Sequence, residues 1–105
     1  MDRKKNIEKL KEFKRNLSRV IPVKKMILFG SMAYGKPHKW SDFDLIIVSQ
    51  KFRKKVSFRR SLGFYKYWNL DYPVDFLCYT PEEFNRLKKQ ITIVKEAVEK
   101  GIEIK

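Results

Sequence analysis

The sequence has a single cysteine, no long apolar run and few acidic residues for its length of 105. With Cys78 alone, which we expect in the core, no disulfide can form within the chain, and this suits a reducing compartment. The longest apolar runs, 26–29 and 45–48, are far shorter than the roughly 20 residues of a membrane helix. No secretory signal is expected, because the charged residues 2–5 lead into no apolar segment. These absences predict a cytoplasmic protein with no membrane association.

Acidic residues are scarce: 12 Asp and Glu accompany 25 Lys and Arg, for a net charge of +13. Such a surplus attracts anionic partners, including nucleotides, nucleic acid, acidic proteins and anionic lipid, without choosing among them. The basic residues are densest in residues 51–60, which contain no acid. Contact with an anionic partner and a merely solvated face both fit that segment.

The length predicts one domain that spans residues 1–105, and apolar spacing predicts its helices and strands. Residues 3–21 carry an apolar side chain every three or four positions and predict a helix that Pro22 ends. Three short apolar runs predict strands, at residues 24–29, 43–48 and 74–79. The predicted order is helix, strand, helix, strand, helix, strand, helix.

The other helices depend on more local signals. Ser31 is predicted to cap a short helix over 32–34, and residues 51–69 are predicted to be helical. Thr80, followed by Pro81 and Glu83, has the pattern of a capping box that begins the last helix. That helix is predicted to end at Gly101 and to be followed by an edge strand over 102–104. Its expected buried face comprises Phe84, Leu87, Ile91, Val94 and Val98.

Candidate chemistry lies at the ends of these strands. Gly30-Ser31 follows the first strand, where backbone N–H groups and the absence of a Cβ at Gly30 suit a phosphate. Asp42 and Asp44 are two positions apart at the start of the second strand and therefore share a face. Asp75 lies inside the third strand, where a charged residue has no easy structural role.

Three converging carboxylates predict a metal site. Two carboxylates about 4 Å apart repel by roughly 4 kcal/mol at an effective dielectric of 20, and a divalent cation removes that cost. Hard oxygen ligands favour magnesium or manganese over zinc. Two such ions can stabilise the attacking and leaving oxygens of a phosphoryl transfer.

The spacing Gly30-Ser31, ten residues, then Asp42-x-Asp44 resembles the signature of the DNA polymerase beta-like nucleotidyltransferase superfamily. The short chain is similar to its smallest branch, the minimal nucleotidyltransferases, over residues 24–79. The resemblance implies an α+β fold, a mixed three-stranded sheet flanked by helices. It also implies that Gly30 and Ser31 hold the triphosphate of ATP and that Asp42 and Asp44 bind two Mg²⁺ ions. Asp75 would then bind one metal and activate the acceptor hydroxyl.

Members of the minimal branch are commonly paired with HEPN-domain toxins, and they transfer AMP from ATP to a tyrosine of the toxin. The resemblance thus implies a protein adenylyltransferase that serves as an antitoxin. Two alternatives stay open: a nucleotidyltransferase acting on a small molecule or an RNA end, and a non-catalytic antitoxin that blocks its partner by binding. Direct nucleic-acid binding is possible from the sequence but not favoured.

One residue departs from the family pattern. Many relatives carry Ala-Arg-Gly after the Gly-Ser, whereas Tyr34 stands at the arginine position here. Lys36 and Lys39 are candidates to supply the missing positive charge. His38 is expected to be solvent-exposed, and Trp40, like Tyr34, either packs within its loop or stacks on a nucleotide base.

Overall fold

Helices cover both faces of a mixed sheet in the computed structural model, which describes residues 3–35, 41–56 and 59–105. This arrangement confirms the α+β class. The helices are α1 (Arg3–Leu17), α2 (Pro81–Leu87) and α3 (Ile93–Lys100), and the strands are β1 (Lys25–Phe29), β2 (Phe43–Val48), β3 (Val74–Tyr79) and β4 (Ile102–Glu103). Across the described residues, no helix is both long and apolar enough to span a membrane.

The sheet has the order β3-β2-β1-β4. β1 is antiparallel to both β2 and β4, whereas β2 and β3 are parallel. The three predicted strands therefore form as expected, and β4 adds a fourth at the edge beside β1. Because β1 runs against β2 and β3, its carboxyl end lies next to the amino ends of the other two.

Each face of the sheet has its own core. Alternate side chains of β1 and β2, including Met26, Leu28 and Leu45, pack beneath α1. The intervening ones, such as Ile27 and Ile46, pack with Phe84, Val94 and Ala97 of the helices α2 and α3. Burial on both faces explains why β1 and β2 are almost continuously apolar rather than alternating.

The first helix is shorter than predicted. α1 ends at Leu17 rather than at residue 21. The Leu17 carbonyl accepts hydrogen bonds from the N–H groups of both Val20, at 3.0 Å, and Ile21, at 3.1 Å, and these bonds close a tight turn. The Ser18 hydroxyl also donates to the Lys14 carbonyl at 2.6 Å, and so competes with the next helical turn.

The prediction of a helix over residues 51–69 is wrong. Its described parts, 51–56 and 59–69, contain turns and the short 3-10 helices Gln50–Phe52 and Phe64–Tyr67. Lys54 and Gly63 have φ angles of 67° and 86°, in the left-handed region that a continuous right-handed helix excludes. The segment still covers the α1 face of the sheet, because Phe52 and Phe64 are buried there.

The last predicted helix is two helices. Thr92 separates them: its hydroxyl donates to the Leu87 carbonyl at 2.7 Å and accepts from the Lys95 N–H at 3.2 Å, so it begins α3 as an N-cap. Ile91, which is 99% exposed, and Val98, which is 45% exposed, do not belong to the predicted buried face. The capping box that begins α2 and the end of α3 at Gly101 are both confirmed.

Candidate active site

The candidate site is at the edge where β1 ends and β2 and β3 begin. In the strand register Asp44 lies opposite Phe29 on one side and opposite Asp75 on the other. Gly30 follows directly after Phe29, and Asp42 directly precedes β2. Antiparallel and parallel pairing thus bring the predicted residues of three chain segments to one corner of the sheet.

Gly30 is in direct contact with Asp44. Its φ is +76°, and a Cβ at this position would lie 2.5 Å from the Asp44 Oδ2 atom. Both the backbone conformation and the available space therefore require glycine here. The Asp44 carboxylate sits against the Gly30 backbone, in a place that any larger residue would take from it.

Ser31 lies inside the turn rather than capping it. The 3-10 helix Gly30–Met32 has Phe29 at its N-cap position, with no side-chain cap, so the prediction that Ser31 caps a short helix is wrong. The Gly30 carbonyl accepts from the N–H groups of Ala33, at 3.0 Å, and Tyr34, at 3.2 Å. The first N–H groups of such a turn have no acceptor within it, and they are available to an anion.

The Asp44 carboxyl is half-buried and has two negatively charged neighbours, Asp42 and Asp75. Burial is the main cause that raises the pKa of this carboxyl, and the charges of Asp75 and Asp42 raise it further. Asp42 and Asp75 themselves are exposed, whereas Asp44 is half-buried. The three carboxylates thus interact electrostatically, as the sequence predicted, with Asp44 at the centre.

The carboxylates fit a magnesium ion chemically but do not form a complete cage. Among residues 3–35, 41–56 and 59–105, no three His, Cys, Asp or Glu side chains gather closely enough to hold a metal ion. Magnesium is commonly bound through one or two carboxylates, with phosphates and water as the remaining ligands. The Asp44 carboxylate beside the Gly30 turn fits an ion shared with a triphosphate.

Tyr34 interacts with Glu96, a residue that the sequence did not indicate as part of the site. Burial raises the pKa of the Tyr34 hydroxyl; the Gly30 backbone acts in the opposite direction, and the Glu96 and Asp44 carboxylates raise that pKa further. Glu96 belongs to α3. Because the sequence predicted one continuous last helix, it did not indicate that Glu96 would lie near Tyr34. Lys36, His38, Lys39 and Trp40 lie outside the described residues.

Comparison with known proteins decides the family. The model of the nucleotidyltransferase domain family matches residues 7–100. The chain belongs to this family. It is a nucleotidyltransferase, and its resemblance to the minimal branch is confirmed.

One curated relative agrees with that assignment, and one solved structure shares the fold. "Probable protein adenylyltransferase MntA" of Haemophilus influenzae is 30% identical over 98 residues, which cover 91% of this chain and 86% of that protein. A crystal structure of a candidate nucleotidyltransferase from Sulfolobus solfataricus has a TM-score of 0.67 at 19% identity, covering 96% of this chain and 80% of that one. At that identity the solved structure shows the shared fold alone.

Proposed function

We propose that this nucleotidyltransferase transfers AMP from ATP to a tyrosine of a partner protein in a magnesium-dependent reaction. We further propose that the partner is a HEPN-type toxin and that the chain is its antitoxin. The name of the relative MntA, a protein adenylyltransferase, supports a protein acceptor. The single observation that carries the proposal is the contact between the Gly30 backbone and the Asp44 carboxylate, which joins an anion-binding turn to a metal ligand.

Donor binding is assigned to two pairs of residues. The N–H groups of Gly30 and Ser31 and the Ser31 hydroxyl donate hydrogen bonds to phosphate oxygens at the start of the turn. Asp42 and Asp44 would hold the metal that accompanies the triphosphate. Bound divalent ions would neutralise the phosphates and stabilise the attacking and leaving oxygens.

Asp75 is assigned to the acceptor. It is exposed, and it is paired with Asp44 across the strand register on the side away from β1. Its carboxylate accepts the proton of the incoming tyrosine hydroxyl, whose oxygen then bonds to the α-phosphorus of ATP. The bond from that phosphorus to the bridging oxygen breaks, and pyrophosphate leaves with the electron pair.

The test combines the protein, ATP labelled in its α-phosphate, magnesium and the protein encoded by the neighbouring gene. We expect label to appear on a tyrosine of the partner with wild type, and to be lost with the double variant Asp42→Asn, Asp44→Asn. Asp71→Asn, an exposed aspartate in the turn before β3, is the matched control and should retain transfer. Label on RNA or a small molecule would favour the first alternative, and partner binding with no transfer would favour the non-catalytic antitoxin.

A further inference from the structure

An open cleft of about 490 Å³ lies along α1 and is lined almost entirely by cations. Its lining residues are Lys11, Lys14, Arg15, Ser18, Arg19 and Lys105. No carboxylate side chain and no aromatic ring takes part in the lining. Most of these residues follow one another along α1 and the turn after it, and Lys105 joins them from beyond β4.

The cleft is remote from the candidate active site. Lys14 Nζ donates to the Ile104 carbonyl at 2.9 Å, and the Ile104 N–H donates to the Met26 carbonyl at 2.8 Å. The cleft is therefore beside the first residues of β1, whereas Gly30 follows the last. It is also on the α1 face of the sheet, and Asp44 lies on the face that α2 and α3 cover. A ligand in the cleft would not compete with a nucleotide at Gly30.

The positive charge of the cleft is largely uncompensated. Lys11 approaches Glu8 at 3.8 Å in an exposed pair, and such pairs are weak. Lys14 is bonded to a carbonyl rather than to a carboxylate. None of the ion pairs found across the described residues involves Arg15, Arg19 or Lys105. These cations gain most from an added anion.

We propose that this cleft binds the phosphate backbone of single-stranded RNA. Lys11 and Arg15 are one turn apart, about 6 Å along α1, and Arg19 lies in the tight turn that follows the helix. All three line the cleft, so it offers several cations in succession to a polyanion. Protein interfaces are depleted in lysine, whereas lysine and arginine make up nearly all of this lining. Interfaces with nucleic acid are polar and strongly positive, as this cleft is. The proposal does not depend on the acceptor assigned above.

The test measures binding of a labelled, unstructured single-stranded RNA by fluorescence anisotropy over a series of salt concentrations. The slope of log K against log salt is negative, and each lost phosphate contact should make it shallower by about 0.7. We expect Arg15→Gln with Arg19→Gln to reduce the magnitude of the slope by about 1.4 and to weaken binding at least tenfold at low salt. The matched pair Lys89→Gln, Lys95→Gln removes the same charge on the other side of the sheet and should leave the slope nearly unchanged.

Three results would overturn the proposal. The first is an equal loss of RNA affinity in both double variants, which would assign binding to net charge alone. The second is displacement of the RNA by inorganic phosphate more effectively than by chloride at equal ionic strength, which would indicate a site for a single anion. The third is binding of polyglutamate as tightly as RNA with the same dependence on Arg15 and Arg19. Unchanged melting temperatures in both variants would exclude unfolding as the cause of any loss.

Discussion

At the scale of single residues, the position of Asp44 disfavours its charged form. Its carboxyl has a raised pKa, chiefly through burial, so the folded chain keeps this proton to a higher pH than the unfolded chain does. Stability from this group is therefore present below the unfolded pKa, near 3.8, and is lost as pH rises through the folded value. At neutral pH the charged Asp44 opposes folding, which a residue with a purely structural role has no reason to do.

We predict that Asp44→Asn stabilises the metal-free protein at neutral pH. The substitution removes a half-buried charge that Asp75 and Asp42 repel. Thermal melts at pH 7 should show a higher midpoint than wild type, at about 4–8 °C for each kcal/mol gained. The difference should shrink as the pH falls well below 3.8, where Asp44 is protonated in both the folded and the unfolded state. An Asp44→Asn melting temperature at or below that of wild type, with Asp71→Asn as the charge control, would contradict this reading.

Gly30 gives a second prediction at this scale. Gly30→Ala places a Cβ 2.5 Å from the Asp44 carboxylate and at a φ of +76°, so both the backbone and Asp44 must shift. We expect a destabilisation of about 1–3 kcal/mol and a loss of magnesium-dependent ATP binding of at least tenfold. Calorimetric titration with ATP measures the affinity, and unfolding in urea measures the stability. Wild-type ATP affinity in a folded Gly30→Ala protein would remove this turn from the site.

The identities of these residues could be predicted from the sequence, but their contact could not. Gly30, Ser31, Asp42 and Asp44 stand out through spacing alone. That Asp44 touches Gly30 follows from the antiparallel register of β1 and β2, which no local pattern encodes. Tyr34 and Glu96 meet only because Thr92 begins a new helix, and this break was not recognised.

At the scale of elements, a charged network ties the irregular segment after β2 to the start of α2. Arg60, which is 9% exposed, donates to both Glu83 carboxylate oxygens, at 2.6 and 3.1 Å, and to the Cys78 and Lys55 carbonyls, each at 3.1 Å. Glu83 also accepts from the Thr80 N–H at 2.8 Å within the capping box. One glutamate therefore completes a helix cap and neutralises a buried guanidinium.

We predict that Glu83→Gln destabilises the fold by about 2–3 kcal/mol, less than for a fully buried pair because Glu83 is 30% exposed. Its pKa is lowered, chiefly by the hydrogen bond from Arg60, so its stabilisation is present above the ordinary carboxyl pKa and is lost in acid. Urea melts at several pH values should show that dependence reduced in the variant.

The matched control for this prediction is Glu82→Gln. Glu82 also makes a bidentate pair with an arginine, Arg53, at 2.7 and 2.8 Å, but both partners are exposed. The substitution Glu82→Gln should therefore change the free energy of unfolding little. Equal effects of the two substitutions would show that the Arg60 network has no special weight.

Elements with local signals were predictable, and those that depend on tertiary contacts were not. The capping box at Thr80 is encoded within four residues, and it forms as predicted. The segment after β2 has helical spacing, but the positive φ angles of Lys54 and Gly63 interrupt any continuous helix, while Phe52 and Phe64 are still buried in the core. The break at Thr92 was hidden because Ile91 and Val98 continue the apolar spacing while facing outward.

At the scale of the whole molecule, the net charge of +13 is not spread evenly. One basic surface is the α1 cleft, and another lies in the described parts of the segment 51–60, for which the sequence leaves open contact with an anionic partner or a merely solvated face. In that segment Arg53 and Arg60 are bonded to glutamates of α2, so they are less available than composition suggests. Lys51 and Lys55 are exposed and remain its better candidates.

We predict that Lys51→Glu with Lys55→Glu weakens the complex with the acceptor protein at least tenfold at low salt. Reversed charges repel an acidic partner surface, and the remaining affinity should depend less on salt. Surface plasmon resonance over a salt series measures both effects. Lys89→Glu with Lys95→Glu is the charge-matched control, and equal weakening in both variants would show that the segment is only a solvated surface.

Asp75 tests the assignment of the candidate site most directly. Asn is nearly isosteric with Asp but cannot take a proton from the attacking hydroxyl. With the acceptor protein present, we predict that Asp75→Asn binds ATP and magnesium nearly as wild type does. Its melting temperature should be at or above that of wild type, because the substitution also relieves the repulsion on Asp44. Single-turnover transfer of labelled AMP should fall by about 10² or more. Transfer at the wild-type rate by a stably folded Asp75→Asn protein would contradict the site as described.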